Sequence, residues 1–309
     1  MTNAELESLV ETSDDWITSR TGIKERRIAA ADEATSDMAA KAGRAAMEQA
    51  GVKAEELDLI LVATISPDMF FPSTACFVQK KLGAKKAACF DISAACAGFL
   101  YGLEIAQQFI TSRTANTVLV IGAEKLSALV DWSDRNTCVL FGDGAGAAVL
   151  RNRGDVHGLL TTTMGSDGSF TDILNIPGGG AKCPITQHNV NDKINTIKMA
   201  GKEVFKHAVT SMLRAAQNAL DDCGLGIGDI ACIIPHQANI RIIEAIADRL
   251  KVPMDRFFLN VHNYGNTSAA AVAIALDEAN RTGRIQKGDY VLMVVFGGGL
   301  TWASSVVQW

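Results

Sequence analysis

Residues 48–68 read EQAGVKAEELDLILVATISPD and residues 221–239 read DDCGLGIGDIACIIPHQAN. Each opens on the end of a helix, turns at a glycine, passes an acidic residue and enters a short apolar run. Each then leads into a helix, ending at Lys81-Leu82-Gly83 in the first case and at Arg249-Leu250-Lys251 in the second. A second pair follows in the same order. SAACAGFLYGLEIA (93–106) leads to TVLVIGAE (117–124), and GNTSAAAVAIALDEA (265–279) leads to YVLMVVFGGG (290–299). Self-similarity at this scale marks a duplicated unit. Short β-branched runs alternating with amphipathic helices make that unit α/β. The reading predicts two halves, 1–160 and 161–309. Packed about a pseudo-twofold axis, they bring equivalent loops together at the middle, where duplicated folds commonly place their sites.

Within the first half the pattern predicts helices over 36–50, from Pro72 and Ser73 to Leu82, and over 93–110. Buried strands are predicted over 57–63 and 86–92, and a further strand over 117–122. Thr35 or Ser36 is the expected cap of the first helix and Ser93 that of the third. The stretch 167–195 is rich in Gly, Pro and Asn and weak in periodicity, so it reads as an insertion that shapes a surface or pocket.

The 309 residues are 48% hydrophobic, with 27 glycines against 6 prolines, enough for a sizeable core and unlike a disordered chain. Charged residues make up 20% and the net charge is −5, which argues against non-specific nucleic-acid binding. Seven cysteines without a C-x-x-C pair or metal-ligand spacing point to a reducing compartment. No apolar run approaches the roughly 18 to 20 residues of a bilayer span, so a cytoplasmic protein is expected.

Cys96 follows a buried strand and a residue able to cap a helix. There the helix dipole and free N–H groups would favour the thiolate, and Ala94, Ala95, Ala97 and Gly98 leave room for a substrate. A buried core cysteine fits the same surroundings. His236 stands at the end of a β-branched run just before a helix, a place for a structural histidine or for chemistry. Asn266 beside Thr267 reads equally as a helix N-cap or as a donor. Taken together, the three supply a covalent thioester, a neutral N–H donor and an amide donor that cannot accept a proton. Donors in place of a second base suit an enolate formed by loss of CO2. Gly297, Gly298 and Gly299 would bring bare N–H groups near a ligand, with the Cys96 N–H completing an oxyanion hole, or simply make a tight turn. FGDGAG (141–146) is no Walker A loop and reads as packing.

The motifs DISAACAGF, PHQAN, YGNTSAA and FGGGLTW, with TSDDWITSRTGI and FGDGAGAAVL, resemble the thiolase-fold condensing enzymes, specifically β-ketoacyl-acyl-carrier-protein synthase III, over nearly the whole chain. The resemblance implies a duplicated thiolase-like fold layered α-β-α-β-α. It implies a two-step cycle of bacterial type II fatty acid synthesis. Cys96 takes a short acyl group from acyl-CoA. Malonyl-acyl-carrier protein then loses CO2, with His236 and Asn266 stabilising the enolate, and attacks the Cys96 thioester to give a 3-ketoacyl product. The N–H groups of Cys96 and Gly298 would form the oxyanion hole. Trp16, Arg20 and Arg135 would hold the CoA nucleotide, and Gly201, Phe205, Ala238 and Asn239 would line the pantetheine tunnel. Arg241, Lys206 and Arg249 would meet acyl carrier protein, although an ordinary solvated surface has the same composition. Phe71 would bound the acyl pocket from a neighbouring subunit of a homodimer. No cofactor, metal, nucleic acid or membrane partner is implied.

The family usually begins with a glycine-containing strand ahead of TNAELESL, whereas Met1 stands immediately before it here. Either the start is assigned late or a strand of the first sheet is lacking. A Cys-His-Asn hydrolase shares the chain order of the three residues but lacks the C-G-S-C-W surroundings of papain-like proteases. An acyltransferase using other acceptors, or a silent subunit that only binds CoA or carrier protein, completes the alternatives.

Overall fold

The computed structural model describes residues 1–152, 154 and 157–309. The strands are β1 (Leu59–Ala63), β2 (Ala88–Ile92), β3 (Thr117–Glu124), β4 (Gly144–Arg151), β5 (Gly158–Ser166), β6 (Leu174–Asn175), β7 (Lys198–Met199), β8 (Ile230–Pro235), β9 (Tyr290–Gly297) and β10 (Thr301–Gln308). The helices are α1 (Asn3–Leu6), α2 (Asp14–Thr21), α3 (Thr35–Ala50), α4 (Thr74–Leu82), α5 (Gly98–Thr111), α6 (Arg135–Cys138), α7 (Gly201–Cys223), α8 (Ile240–Leu250), α9 (Val261–Tyr264) and α10 (Ala270–Arg281).

Every residue of β1 and β3 is buried, as expected of strands covered on both faces by helices. The first sheet runs β2-β1-β3-β4 and the second β5-β10-β9-β8. Parallel β1–β3 and antiparallel β3–β4 correspond to parallel β8–β9 and antiparallel β9–β10. The duplication extends to detail. A single 3-10 turn precedes both β1 and β8, closed by Glu56 accepting from Lys53 N at 2.8 Å and by Asp229 accepting from Gly226 N at 2.7 Å.

Helices α5 and α10 lie between the sheets and share one core with Leu61, Val120, Ile234 and Val295. Helices α3 and α4 cover the outer face of the first sheet, and α7 and α8 that of the second. The result is the α-β-α-β-α layering that the resemblance implies. The two sheets differ at both edges: β2 flanks β1, whereas among the described residues no strand takes the matching place beside β8. Strand β5 pairs with β10, whereas among the described residues no strand flanks β4, and a cleft of about 860 Å³ runs along it between α3, α5 and α10. Strand β5 starts at Gly158, so the second sheet begins three residues ahead of the expected second half, 161–309.

Several local expectations are corrected. Helix α3 is capped by two acids, Asp68 accepting from Ser36 N at 2.8 Å and Asp37 from Ala34 N at 2.9 Å, because the Thr35 and Ser36 hydroxyls are drawn away to Ser66 O and to Asp68. Ser73 occupies the N-cap of α4 without capping it. The Asp91 carboxylate does so instead, from Thr74 N at 2.6 Å and Ala75 N at 2.8 Å. The helix expected from Ser93 begins at Gly98, after a 3-10 turn over Ala95–Ala97 that has no side-chain cap. Strand β2, expected to be buried, is half exposed because it forms the edge of its sheet.

Candidate active site

Cys96 sits in the 3-10 turn between β2 and α5, and Ala95 before it has φ +46°. At the corresponding turn of the second half Ser268 has φ +48°. Left-handed backbone at non-glycine residues costs about 1–3 kcal/mol, and such strain clusters where geometry must be fixed for chemistry. Strand β9 ends on Gly297, where a Cβ would stand 2.6 Å from the Cys96 backbone nitrogen, so glycine is required for the Cys96 turn to approach. Burial pushes the Cys96 thiol up to about 12. This reverses the expectation of a low pKa: the turn lies ahead of α5 and full desolvation outweighs the dipole. The Cys96 N–H favours its own sulfur's charged form.

His236 follows β8, and its N–H is held by Val294 O at 2.8 Å. The next residue secures the loop: Gln237 Oε1 accepts from Asn260 N and Val261 N, and its Nε2 donates to Pro235 O and Phe258 O. Burial lowers the imidazole to about 4, so it is neutral at physiological pH, and Nδ1 has no partner. Asn266 is fixed by a bridge to Phe141, with its N–H on Leu140 O at 2.8 Å. Its Oδ1 accepts from Ser268 N at 2.9 Å. Its oxygen thus caps the start of the α10 segment, and Nδ2 is left free to donate.

Cys96, His236 and Asn266, from three separate segments, line one cavity of about 750 Å³. The same wall includes Trp16, Arg20, Gly201, Phe205, Ala238, Asn239 and Arg241. Helix α2 is seated by Gly22, whose φ of +76° closes the helix and whose missing Cβ admits Ile240. That contact puts Trp16 and Arg20 beside the start of α8, whose Asn239 Oδ1 caps Arg241 N at 2.9 Å. Arg135 lies outside the lining, but its guanidinium stacks on the Trp16 ring at 4.7 Å, as that of Arg20 does at 4.8 Å. Lys206 and Arg249 are exposed on α7 and α8. Gly298 faces Leu174, and the glycine set against Cys96 is Gly297. Phe71 is 87% exposed and away from this cavity's wall.

Some of the wall was missed in the sequence. Lys202 lines the mouth one helical turn from Lys206, a spacing that was there to be read. Leu174 and Met199 come from the β6–β7 ribbon. Leu174 lies within the 167–195 insertion and Met199 just beyond it, so the insertion contributes to the pocket wall, though its aperiodic sequence could not say with which residues. FGDGAG is packing, as expected. A Cβ on Gly142 would meet Tyr264 O at 2.4 Å and one on Gly146 the α10 backbone at 2.8 Å, while Asp143 ties Ala29 N and Ser127 N. Among the described residues no group of His, Cys, Asp and Glu side chains is arranged to hold a metal.

Residues 90–168 match the family described as 3-oxoacyl-[acyl-carrier-protein (ACP)] synthase III, and residues 220–309 match its C-terminal part. The beta-ketoacyl-[acyl-carrier-protein] synthase III of Caldanaerobacter subterraneus subsp. tengcongensis is 56% identical over 309 residues, covering 100% of this chain and 93% of that one. That of Clostridium acetobutylicum is 50% identical, with 100% and 94% covered. The crystal structure of 3-oxoacyl-[acyl-carrier-protein] synthase III from Aquifex aeolicus superposes with a TM-score of 0.93 at 48% identity, covering 100% of this chain and 95% of that chain.

Proposed function

The chain belongs to the β-ketoacyl-acyl-carrier-protein synthase III family, thiolase-fold enzymes that initiate fatty acid synthesis, and from that premise we propose how its own residues divide the work. It is a condensing enzyme and acyltransferase, and its function implies acyl carrier protein as substrate partner. The assignment of roles is our reading. Cys96 accepts a short acyl group from acyl-CoA. Malonyl-acyl-carrier protein then loses CO2, and the resulting enolate attacks the thioester and releases a 3-ketoacyl-acyl-carrier protein.

The observation that carries the roles is the composition of the cavity wall. The nucleophile shares it with a neutral imidazole and with an asparagine whose oxygen is already engaged. Asn266 Nδ2 and the neutral imidazole can each offer an N–H donor, and donors stabilise a developing enolate oxygen. Carbonyl oxygen of the Cys96 thioester would be met by the N–H groups of Cys96 and Gly298. The pairing of Trp16 with two guanidinium groups supports a nucleotide-holding mouth, because a purine can take their place on the ring. Gly201, Phe205, Ala238 and Asn239 then form the passage for pantetheine. Exposed Arg241, Lys206 and Arg249, joined by Lys202, would steer an acidic carrier protein despite the negative net charge.

Homodimerisation and a cytoplasmic setting belong to the same proposal. Phe70 and Phe71 are each 87% exposed, which suits burial by a second copy that would set Phe71 against the acyl pocket. All seven cysteines are free, and no described helix is long and apolar enough to cross a membrane.

The test is sequential incubation with radiolabelled acetyl-CoA and then malonyl-acyl-carrier protein. Wild-type protein should label at Cys96 and release CO2 in the second step, and Cys96→Ser should not label. Asn266→Ala should label at a near-normal rate while condensation falls about a hundredfold or more. Equal loss of both steps in Asn266→Ala would overturn the division of roles.

A further inference from the structure

His236 and Asn266 reach the cavity on two loops of the second half. His236 stands between β8 and α8, and Asn266 between α9 and α10. Helix α9 is a single turn of four residues, Val261–Tyr264, and its N-cap residue, Asn260, makes no side-chain capping bond. A helix that short has little stability of its own, so its geometry comes from what it is tied to. One carboxylate, Glu278, ties it at both ends. Glu278 Oε2 accepts from Asn260 Nδ2 at 2.9 Å, and Oε1 accepts from the Tyr264 hydroxyl.

Both ties lead toward the cavity. Gly265 alone separates Tyr264 from Asn266; its φ of +65° turns the chain, and a Cβ there would stand 2.7 Å from Leu140 O. The Tyr264 carbonyl is seated against Gly142, where a Cβ would meet it at 2.4 Å, and Gly142 N donates to Asn266 O at 3.0 Å. At the other end, buried Asn260 gives its backbone N–H to Gln237 Oε1 at 3.0 Å, and Gln237 is the residue after His236. A continuous set of bonds thus runs from the neighbour of His236 through Asn260 and Glu278 to Tyr264. Glu278 belongs to the body of α10, about two turns past its start, and is not part of the cavity wall. Burial, and then the carboxylate beside it, push the Tyr264 phenol up to about 12, so it remains a donor to Glu278 throughout the neutral range. Arg27 stacks on the same ring at 5.3 Å, and no described ion pair includes Glu278.

We propose that Glu278 is a positioning residue for condensation: it sets the Asn266 amide through Tyr264 and steadies the His236 loop through Asn260 and Gln237, without itself touching substrate. The proposal rests on the roles given above to His236 and Asn266. It divides the two steps of the reaction along the two halves of the fold. Cys96 comes from the first half, on the turn between β2 and α5, and none of the bonds just named reaches it. Acyl transfer to Cys96 therefore does not call on Glu278. Condensation does, because donors to a developing enolate oxygen act only within hydrogen-bond reach, and a misplacement of about 1 Å can cost about a hundredfold in rate. A carboxylate suits the task. It accepts from two donors at once, whereas an amide in its place has one accepting oxygen and must turn an N–H toward the other partner.

The two steps are timed separately. The protein is acylated with radiolabelled acetyl-CoA, free CoA is removed, and saturating malonyl-acyl-carrier protein is added while CO2 release is followed over a single turnover. Tyr264→Phe removes one hydroxyl from the network and keeps the ring. It should acylate within about twofold of wild type and condense about tenfold more slowly, with half-saturation by malonyl-acyl-carrier protein unchanged. Glu278→Ala loses both ties and should condense about a hundredfold more slowly, and Glu278→Gln should recover part of that loss. Each variant is measured below its own melting temperature, so that unfolding does not enter the rates. Combining Tyr264→Phe with Asn266→Ala separates positioning from general loosening: with the amide gone, removing the hydroxyl should cost less than about twofold further. Should Glu278→Ala fail to fold, Tyr264→Phe and the double variant carry the test. Unchanged condensation in Tyr264→Phe and Glu278→Gln overturns the proposal. So does an equal slowing of both steps, or a loss in Tyr264→Phe that persists in full when Asn266 is already alanine. Equal loss of both steps in Asn266→Ala alone removes the underlying assignment of roles instead.

Discussion

Glu124 shows what a single residue's surroundings do to its chemistry. At the end of β3 its carboxyl accepts from Ser66 Oγ, Thr64 Oγ1, Ile65 N and Ser66 N, yet burial raises it from the usual carboxylate range to about 7. Desolvation of a charge outweighs several good hydrogen bonds. The consequence for stability has a definite sign. Between the unfolded value of 4.5 and about 7, the folded state keeps a proton that the unfolded state has lost. This group's contribution is therefore fully present below the unfolded value and is lost as pH rises through that window. Glu124→Gln removes the titration, so its melting temperature relative to wild type should rise by several degrees between about pH 5 and pH 8. Calorimetry on both proteins checks this, and a difference that does not change with pH would show that the carboxyl titrates normally. Nothing in the sequence marked Glu124, because an acid at the end of an apolar strand reads as an exposed turn residue until the opposing turn is known to cover it.

At the scale of elements, the positions of strands and helices were readable and their caps were not. Periodicity located β1, β3, α3 and α4 to within a residue or two at most ends, because burial of a face is written in the spacing of apolar residues. A cap depends on which side chain is free. Thr35, Ser36 and Ser73 are all suitable in type, but acids from the same turn, the loop after β1 or a neighbouring strand take the role. Asp91 is the clearest case, since it joins the end of β2 to the first N–H groups of α4. Asp91→Ala should destabilise the protein by about 1–2 kcal/mol in urea unfolding. It should also loosen the loop that carries Phe71, seen as faster proteolysis near residues 69–73. Unchanged stability would mean that Ser73 takes over the cap.

For the whole molecule, the duplication places the site. Cys96 and Asn266 are remote in sequence, yet the turns before α5 and α10 meet at the centre of the layered fold, and each of the two strained residues, Ala95 and Ser268, lies on its own half's turn. The exposed Met69, Phe70 and Phe71 project from this body. If a second copy covers them, replacing Phe70 and Phe71 by Asp should weaken self-association about a hundredfold or more, since each phenyl withdraws about 1.5–3 kcal/mol of burial. Sedimentation of the variant against wild type reads the outcome, and an unaltered dimer would place the interface elsewhere. By itself the sequence determined the α/β class, the repeat, the family and the three residues of the cavity, because these rest on local spacing and on motifs carried by contiguous residues. Only the tertiary structure decided that Cys96 rests as a buried thiol and not as a thiolate. It alone showed that Gly297 is the glycine set against Cys96, and that Glu278 ties the turn before Asn266 at both ends. Each of these depends on how completely a group is removed from water and on which remote turn packs against it, and neither is a property of neighbouring residues along the chain.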